Sequence, residues 1–307
     1  MTEPLVIVHR FGSLGSGTAD RVADLLPDVT VVPWPGPGEV LLTFDGPWKD
    51  GDRYLPPEIR WVHVLGAGVG GFPFEVLEGR PITCSKGASS VPIAEWVLAV
   101  VLAFEKKIPE TFIHEPPPAW NSASLGLVAG KTMGLIGVGA IGTEIARRAL
   151  AFDMRVVALR RSDRPLPLPG IEPAGSLQDV LTGADHVVIA APSTAETHHL
   201  IDAAAFGMMT DGVHLVNIAR GALVDQDALL AALDSGRVAL ASLDVVDPEP
   251  LPAGHPLYTH PRVRLTPHIS WSAPVTMPRT MQIFLENLAR YRKGEPLEGH
   301  VDVVAGY

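Results

Sequence analysis

Short apolar runs recur along the chain, separated by polar segments with helical spacing. Residues 4–8 (PLVIV), 29–33 (VTVVP) and 39–43 (EVLLT) are brief, near-continuous apolar runs, the pattern of strands buried on both faces. Residues 18–27 (TADRVADLLP) space their apolar positions as one helical face. Residues 60–68 (RWVHVLGAG) predict a strand running into a glycine loop, and residues 80–85 (RPITCS) another strand. Residues 91–108 (VPIAEWVLAVVLAFEKKI) predict a long apolar helix, too interrupted and too short to cross a membrane and read as a buried inter-domain helix. A segment rich in proline and small polar residues follows at 114–126 and is the best boundary candidate. A second alternation then begins. It has a strand and loop at 132–139, strands at 155–159, 186–191, 213–219, 238–246 and 263–268, and helices at 140–152, 176–184, 226–236 and about 274–293. Strand–helix alternation of this kind predicts an α/β fold with parallel sheets. The division expected is a first domain of residues 1–97 and 283–307, interrupted by a second of residues 98–282.

Composition narrows the picture. A chain of 307 residues exceeds one ordinary core, so two domains are the default expectation. Apolar residues at 47% and charged residues at 19% leave enough material for that core and argue against disorder. The net charge of −10 disfavours nucleic acid and anionic membrane as general partners. The N-terminus carries an acid early and a very short apolar run, unlike a secretory signal, and no apolar run reaches transmembrane length. The single cysteine, Cys84, suits a reducing cytosol and reads as a small buried apolar residue. A cytoplasmic protein is expected, with no metal site.

The first chemical signal is G-x-G-x-x-G at Gly137, Gly139 and Gly142, after an apolar strand and at the head of a helix. Alone the triplet is weak; its context points to a dinucleotide. Gly137 allows a tight turn, Gly139 lets the backbone approach a pyrophosphate, and Gly142 lets helix and strand pack closely. The helix start at Ala140, Ile141 and Gly142 turns amides toward the phosphates. An acid about 20 residues onward commonly holds the adenosine ribose hydroxyls. At the end of the next strand, 18 residues after Gly142, stand Arg160, Arg161 and Ser162. Two guanidinium forks and a hydroxyl suit a 2′-phosphate, which favours NADP over NAD. A solvated basic turn is the plainer alternative, and Asp163 could pair with either arginine or take over the ribose contact.

Three polar residues lie at strand ends further on: Arg220, Glu249 and His268. Singly, each has an ordinary reading as a surface ion-pair partner, a loop charge and a satisfied loop histidine. Together, behind a dinucleotide loop, they hold what carbonyl reduction by hydride needs. A histidine can donate a proton to the developing alkoxide. A carboxylate beside it favours the imidazolium. A fixed cation polarises the carbonyl and grips a neighbouring carboxylate.

The motifs GKTMGLIGVGAIG (130–142), APSTAETHHLI (191–201), VNIARGALVDQDAL (216–229), LASLDVVDPEPLP (240–252) and TPHIS (266–270) carry a resemblance to the D-isomer-specific 2-hydroxyacid dehydrogenases. The resemblance implies two Rossmann-like domains, a flavodoxin-like substrate domain and a dinucleotide-binding domain, with a cleft between them and usually a homodimer. It implies Arg220 as the substrate-binding arginine, Glu249 as the histidine's partner and His268 as the acid/base. It places Asp244 near the nicotinamide carboxamide, Pro192 and Thr197 beside the adenosine half, and Ile218 and Ala219 on the nicotinamide side. Ala67 and Gly68, in LGAGVGG (65–71), are the best placement for amides that hold a substrate carboxylate. Small 2-oxo acids, glyoxylate or hydroxypyruvate foremost, are the implied substrates. A non-catalytic cofactor-gated corepressor and a phosphoglycerate dehydrogenase without its regulatory domain are the alternatives; formate or phosphite oxidation is weaker.

Four positions depart from the family pattern. Arg160 replaces the common acid, and Gly70 stands where aspartate is frequent. Asp153 stands where glycine usually ends the helix, which predicts a strained or differently built turn. Trp271 is bulky for a residue so close to His268; it either trims the pocket or packs between domains.

Overall fold

A computed structural model describes residues 5–11, 17–44, 48, 54–122, 124–162 and 164–307. Asp163 lies outside the described residues. The chain divides into two compact units, Met1–Ala88 with Pro274–Tyr307, and Ser89–Ala273. The pattern along the chain placed the divisions at 97/98 and 282/283; the units part at 88/89 and 273/274, next to the starts of two long helices.

The first unit contains β1 (Val6–Arg10), α1 (Thr18–Leu25), β2 (Thr30–Pro33), β3 (Val40–Thr43), β4 (Trp61–Val64) and β5 (Ile82–Cys84). The strands form one sheet in the order β2-β1-β3-β4-β5, parallel at every pairing. This is the flavodoxin-like order. The apolar runs are continuous because both faces are covered. Ile7, Val40, Leu42 and Trp61 face one core, and Val8, Leu41, Val62 and Val64 the other. The C-terminal helix, Thr276–Lys293, covers the first of these faces with Met281, Phe284 and Leu288. Cys84 is buried, as a small apolar residue would be.

The second unit contains α2 (Ser90–Lys106), β6 (Thr132–Ile136), α3 (Ala140–Ala151), β7 (Arg155–Leu159), β8 (Ile171–Ala174), α4 (Leu177–Leu181), β9 (His186–Ile189), α5 (Ala203–Met208), β10 (Val213–Asn217), α6 (Gln226–Ser235), β11 (Val238–Leu243) and β12 (Val263–Leu265). Its seven strands run β12-β11-β10-β9-β6-β7-β8, all parallel. Strand order therefore reverses beside β6, the crevice where doubly wound sheets bind ligands at their C-terminal edge. Val187, Ile189 and Leu215 feed one core, and Val188 and Val216 the other. The apolar helix α2 packs within this unit, its Ile93, Ala94, Val97 and Val101 sharing a core with Ile145, Ala146 and Ala149 of α3. Asp153 does take the left-handed conformation (φ 58°) in the turn after α3, and its carbonyl accepts from Gly130 N–H at 2.9 Å. Among the described residues no helix is long and apolar enough to cross a membrane.

Three histidines are wholly buried. His63 bonds Thr83 and Ser85, and His214 bonds Ser242 and the ring of His186. Burial lowers the pKa of His63 to about 3 and that of His186 to about 4, and pushes His214 down as well. In the unfolded chain each returns to its ordinary value near 6.5. A depressed folded pKa gives stability that is present above pH 6.5 and drains away as pH falls toward the folded value. Each histidine contributes a slope of up to about 1.4 kcal/mol per pH unit. The melting temperature should therefore stay level above pH 7 and fall steeply between pH 6 and pH 4. A melting curve unchanged down to pH 5 would contradict the neutral burial of these rings.

Candidate active site

The glycine loop joins β6 to α3, and its three glycines have three different surroundings. Gly137 has φ 100°, and a Cβ there would lie 2.7 Å from the backbone of Ala190 and Ala191. A Cβ on Gly142 would lie 2.2 Å from the Gly137 carbonyl oxygen, so helix and loop touch through bare backbone. A Cβ on Gly139 would meet nothing within 4 Å. Gly139 thus leaves open space next to the amides of Ala140, Ile141 and Gly142. Gly139 caps α3 without any side-chain hydrogen bond to those first amides. A helix start with unsatisfied N–H groups and room above it fits a pyrophosphate.

The basic turn follows β7. Arg160 donates to the Pro165 carbonyl at 3.0 Å, and Arg161 reaches Glu196 at 3.4 Å. Ser162 is exposed between them and the undescribed Asp163. Across the β6 crevice, the loop after β9 holds Pro192 and Thr197. The Thr197 hydroxyl donates to the Pro192 carbonyl at 2.8 Å and accepts from Thr194 N–H at 2.8 Å, which closes that turn.

Strands β10, β11 and β12 are neighbours and parallel, so their ends lie along one edge. Arg220 follows β10. Its conformation is built by two residues the sequence reading passed over. Asn217, 1% exposed, donates to the Arg220 carbonyl at 3.0 Å and accepts from Ala219 N–H at 3.0 Å. Gly221 presses on the next loop: a Cβ there would sit 1.9 Å from the Val246 carbonyl carbon. That close approach packs the Arg220 turn against the loop that carries Glu249. Ile218 and Ala219 are buried in the same turn. The only sequence signal for Asn217 was an amide ending an otherwise apolar strand.

Glu249 and His268 meet directly. His268 Nδ1 lies 2.8 Å from one Glu249 oxygen, and the other oxygen accepts from Val246 N–H at 3.2 Å. Burial alone would raise the Glu249 pKa. The His268 hydrogen bond and charge, the Val246 amide and the charge of Arg220 outweigh it and hold the carboxyl below its ordinary value. Glu249 is therefore an anion that orients the ring and fixes which nitrogen faces it. Nε2 of His268 has no protein partner among the described residues.

Asp244, at the end of β11, is 1% exposed. Its carboxylate accepts from the Thr266 hydroxyl at 2.6 Å, Ile269 N–H at 2.8 Å and Ser270 N–H at 2.9 Å. Its carbonyl accepts from His268 N–H at 2.9 Å. Asp244 thus binds the whole 266–270 loop that presents His268. In the first unit, Ala67 and Gly68 lie in the loop after β4, anchored by Ser85 N–H to the Gly66 carbonyl at 3.1 Å. Among the described residues their own amides donate to no protein acceptor.

A seven-stranded parallel sheet with a glycine loop at its switch point, and an Arg–Glu–His group at its C-terminal edge, defines a dinucleotide-dependent oxidoreductase. Comparison with known proteins gives the family. The sequence model for the D-isomer specific 2-hydroxyacid dehydrogenase NAD binding domain matches residues 98–270. Glyoxylate/hydroxypyruvate reductase A of Serratia proteamaculans is 31% identical over 261 residues, 81% of this chain and 82% of its own length. A D-isomer specific 2-hydroxyacid dehydrogenase family protein from Klebsiella pneumoniae superposes with TM-score 0.84 at 27% identity, covering 98% of both chains. A D-isomer specific 2-hydroxyacid dehydrogenase from Xanthobacter autotrophicus, solved with NADPH and MES, gives TM-score 0.82 at 28% identity over 99% of both. The chain belongs to the D-isomer-specific 2-hydroxyacid dehydrogenase family and is an NAD(P)-dependent oxidoreductase.

Proposed function

We propose that this protein reduces small 2-oxo acids, glyoxylate or hydroxypyruvate foremost, with NADPH preferred. The observation that carries this reading is the 2.8 Å His268–Glu249 contact at the sheet edge, with Nε2 left uncommitted and Arg220 charged nearby. The chemistry that a reduced nicotinamide would supply, when bound, is a hydride for the carbonyl carbon. As the carbonyl π pair moves onto oxygen, His268 delivers its Nε2 proton to that oxygen and is left neutral. Glu249 stabilises the ring while it is positive and keeps Nε2 turned to substrate. Arg220 grips the substrate carboxylate and draws charge onto the carbonyl oxygen. In the oxidative direction His268 receives the proton. Gly137, Gly139, Ala140, Ile141 and Gly142 would hold the pyrophosphate, Pro192 and Thr197 would serve the adenosine half, and Ile218 and Ala219 would serve the nicotinamide half. Asp244 serves the nicotinamide side through the loop that it binds.

The name of the Serratia relative supports the substrate choice, and the NADPH held by the Xanthobacter protein supports the cofactor choice. Homodimer assembly suits the exposed Phe112, Ile113, Trp120, Leu125 and Leu127, a run of apolar side chains that a free surface seldom carries. A single buried thiol suits the cytoplasm. The test is a panel of glyoxylate, hydroxypyruvate and pyruvate with each cofactor. Turnover of at least one acid is expected, and none at all, with cofactor bound, would refute the reading.

Cofactor choice is separately testable. Arg160 and Arg161, in the turn after β7, are cations that suit a 2′-phosphate, which would compete with the Pro165 carbonyl and Glu196 for them. In Arg160→Asp the preference should move toward NADH by at least about tenfold, since one charge-assisted contact contributes about 1.5–3 kcal/mol. A wild type that already prefers NADH strongly would overturn the role of the arginines and leave the dehydrogenase assignment standing.

A further inference from the structure

We infer that Trp271 is a positioning residue for the acid/base histidine, acting through the main chain of His268. The inference rests on the proposed role of His268. Three observations carry it. First, His268 has φ 54°, a left-handed conformation that costs a residue with a Cβ about 1–2 kcal/mol. Something must hold it there. Second, the Trp271 indole N–H donates to the His268 carbonyl at 2.8 Å, a side chain closing back on the backbone three residues earlier. Third, the rest of His268 is also tied down. Its N–H reaches the carbonyls of Asp244 at 2.9 Å and Thr266 at 3.0 Å, and its Nδ1 reaches Glu249 at 2.8 Å.

The arrangement divides the work. Asp244 binds the loop on the N-terminal side and along 269–270, and Glu249 binds the ring. The indole supplies the donor that satisfies the carbonyl in its left-handed orientation. Without it, that carbonyl turns to solvent and the backbone relaxes toward negative φ. Rotation at φ swings the Cα–Cβ bond, and with it Nε2, away from the reacting oxygen. Trp271 is 40% exposed, so it is not a core residue whose loss would empty the interior. Its indole N–H spans the three residues back to the His268 carbonyl. This gives the bulky residue a function that neither pocket trimming nor packing between domains requires.

Trp271→Phe keeps an aromatic ring and removes the N–H. Expected for the reduction of a 2-oxo acid is a fall in kcat of about five- to tenfold, the equivalent of one lost hydrogen bond. KM for the oxo acid and affinity for NADPH should stay near wild type. The solvent deuterium isotope effect on kcat should rise, because proton delivery becomes slower relative to the other steps. Trp271→Leu, lacking ring and donor alike, should show the same split. Wild-type kcat in both variants would overturn the inference. So would parallel losses of kcat, NADPH affinity and melting temperature with an unchanged isotope effect, the signature of a structural role. Inactivity of the wild type itself toward every 2-oxo acid would instead remove the functional reading, and the inference with it.

Discussion

His268→Gln lowers kcat for 2-oxo acid reduction by about two to four orders of magnitude, the range that a positioned acid/base supplies. Glutamine has comparable length and can donate a hydrogen bond, but it cannot release a proton to an alkoxide. The left-handed backbone, the Asp244 contacts and the glycine loop do not depend on the imidazole. NADPH binding should accordingly survive, and substrate KM should change little. The measurement is steady-state kinetics beside a cofactor titration. Retained kcat would show that the proton comes from elsewhere and would break the link between the His268–Glu249 pair and the chemistry.

Arg220→Gln should cost about two to three orders of magnitude in kcat/KM, comparable with the loss of a donor aimed at developing negative charge. Two effects combine. The substrate carboxylate loses a two-pronged, charge-assisted partner, which raises KM. The carbonyl oxygen loses a cation as it becomes negative, which lowers kcat. The guanidinium also donates to the Ala219 carbonyl at 2.8 Å, but Asn217 holds the Arg220 backbone and Gly221 packs on Val246, so most of the turn's support should remain in the variant. Unfolding would therefore not explain the loss, and circular dichroism should match wild type. Arg220→Lys should recover only part of it, since an ammonium carries the charge without the planar fork. A variant with unchanged KM and kcat would show that Arg220 faces away from the substrate.

The central parallel strands were legible because burial on both faces makes each a compact apolar run bounded by turns. What escaped lacked that signature. Strand β8 reads IEPA, with Ile171 its one buried residue, because it is an edge of its sheet. Helix α5 is six residues rich in alanine, too short to show a period. The division between units fell nine residues from the expected places because helical spacing continues through a helix regardless of which core it joins. In the site, Arg220, Glu249 and His268 stood out as polar residues closing apolar strands. Their supports did not. Gly221 is one of 30 glycines, and only its approach to Val246 distinguishes it. Asp244 was read toward the nicotinamide, but two of its three partners are backbone amides 25 and 26 residues further on, which no side-chain pattern records. Trp271 offered pocket trimming or packing between domains, and no side-chain pattern records its indole N–H on the His268 carbonyl.

The proposed chemistry is hydride transfer to the carbonyl of a small 2-oxo acid, with a proton from His268. The most direct measurement follows NADPH oxidation in the presence of hydroxypyruvate, with chiral separation of the product. Stoichiometric NADPH consumption and D-glycerate are expected. Cofactor that binds but is never oxidised, or a product of the L configuration, would contradict it.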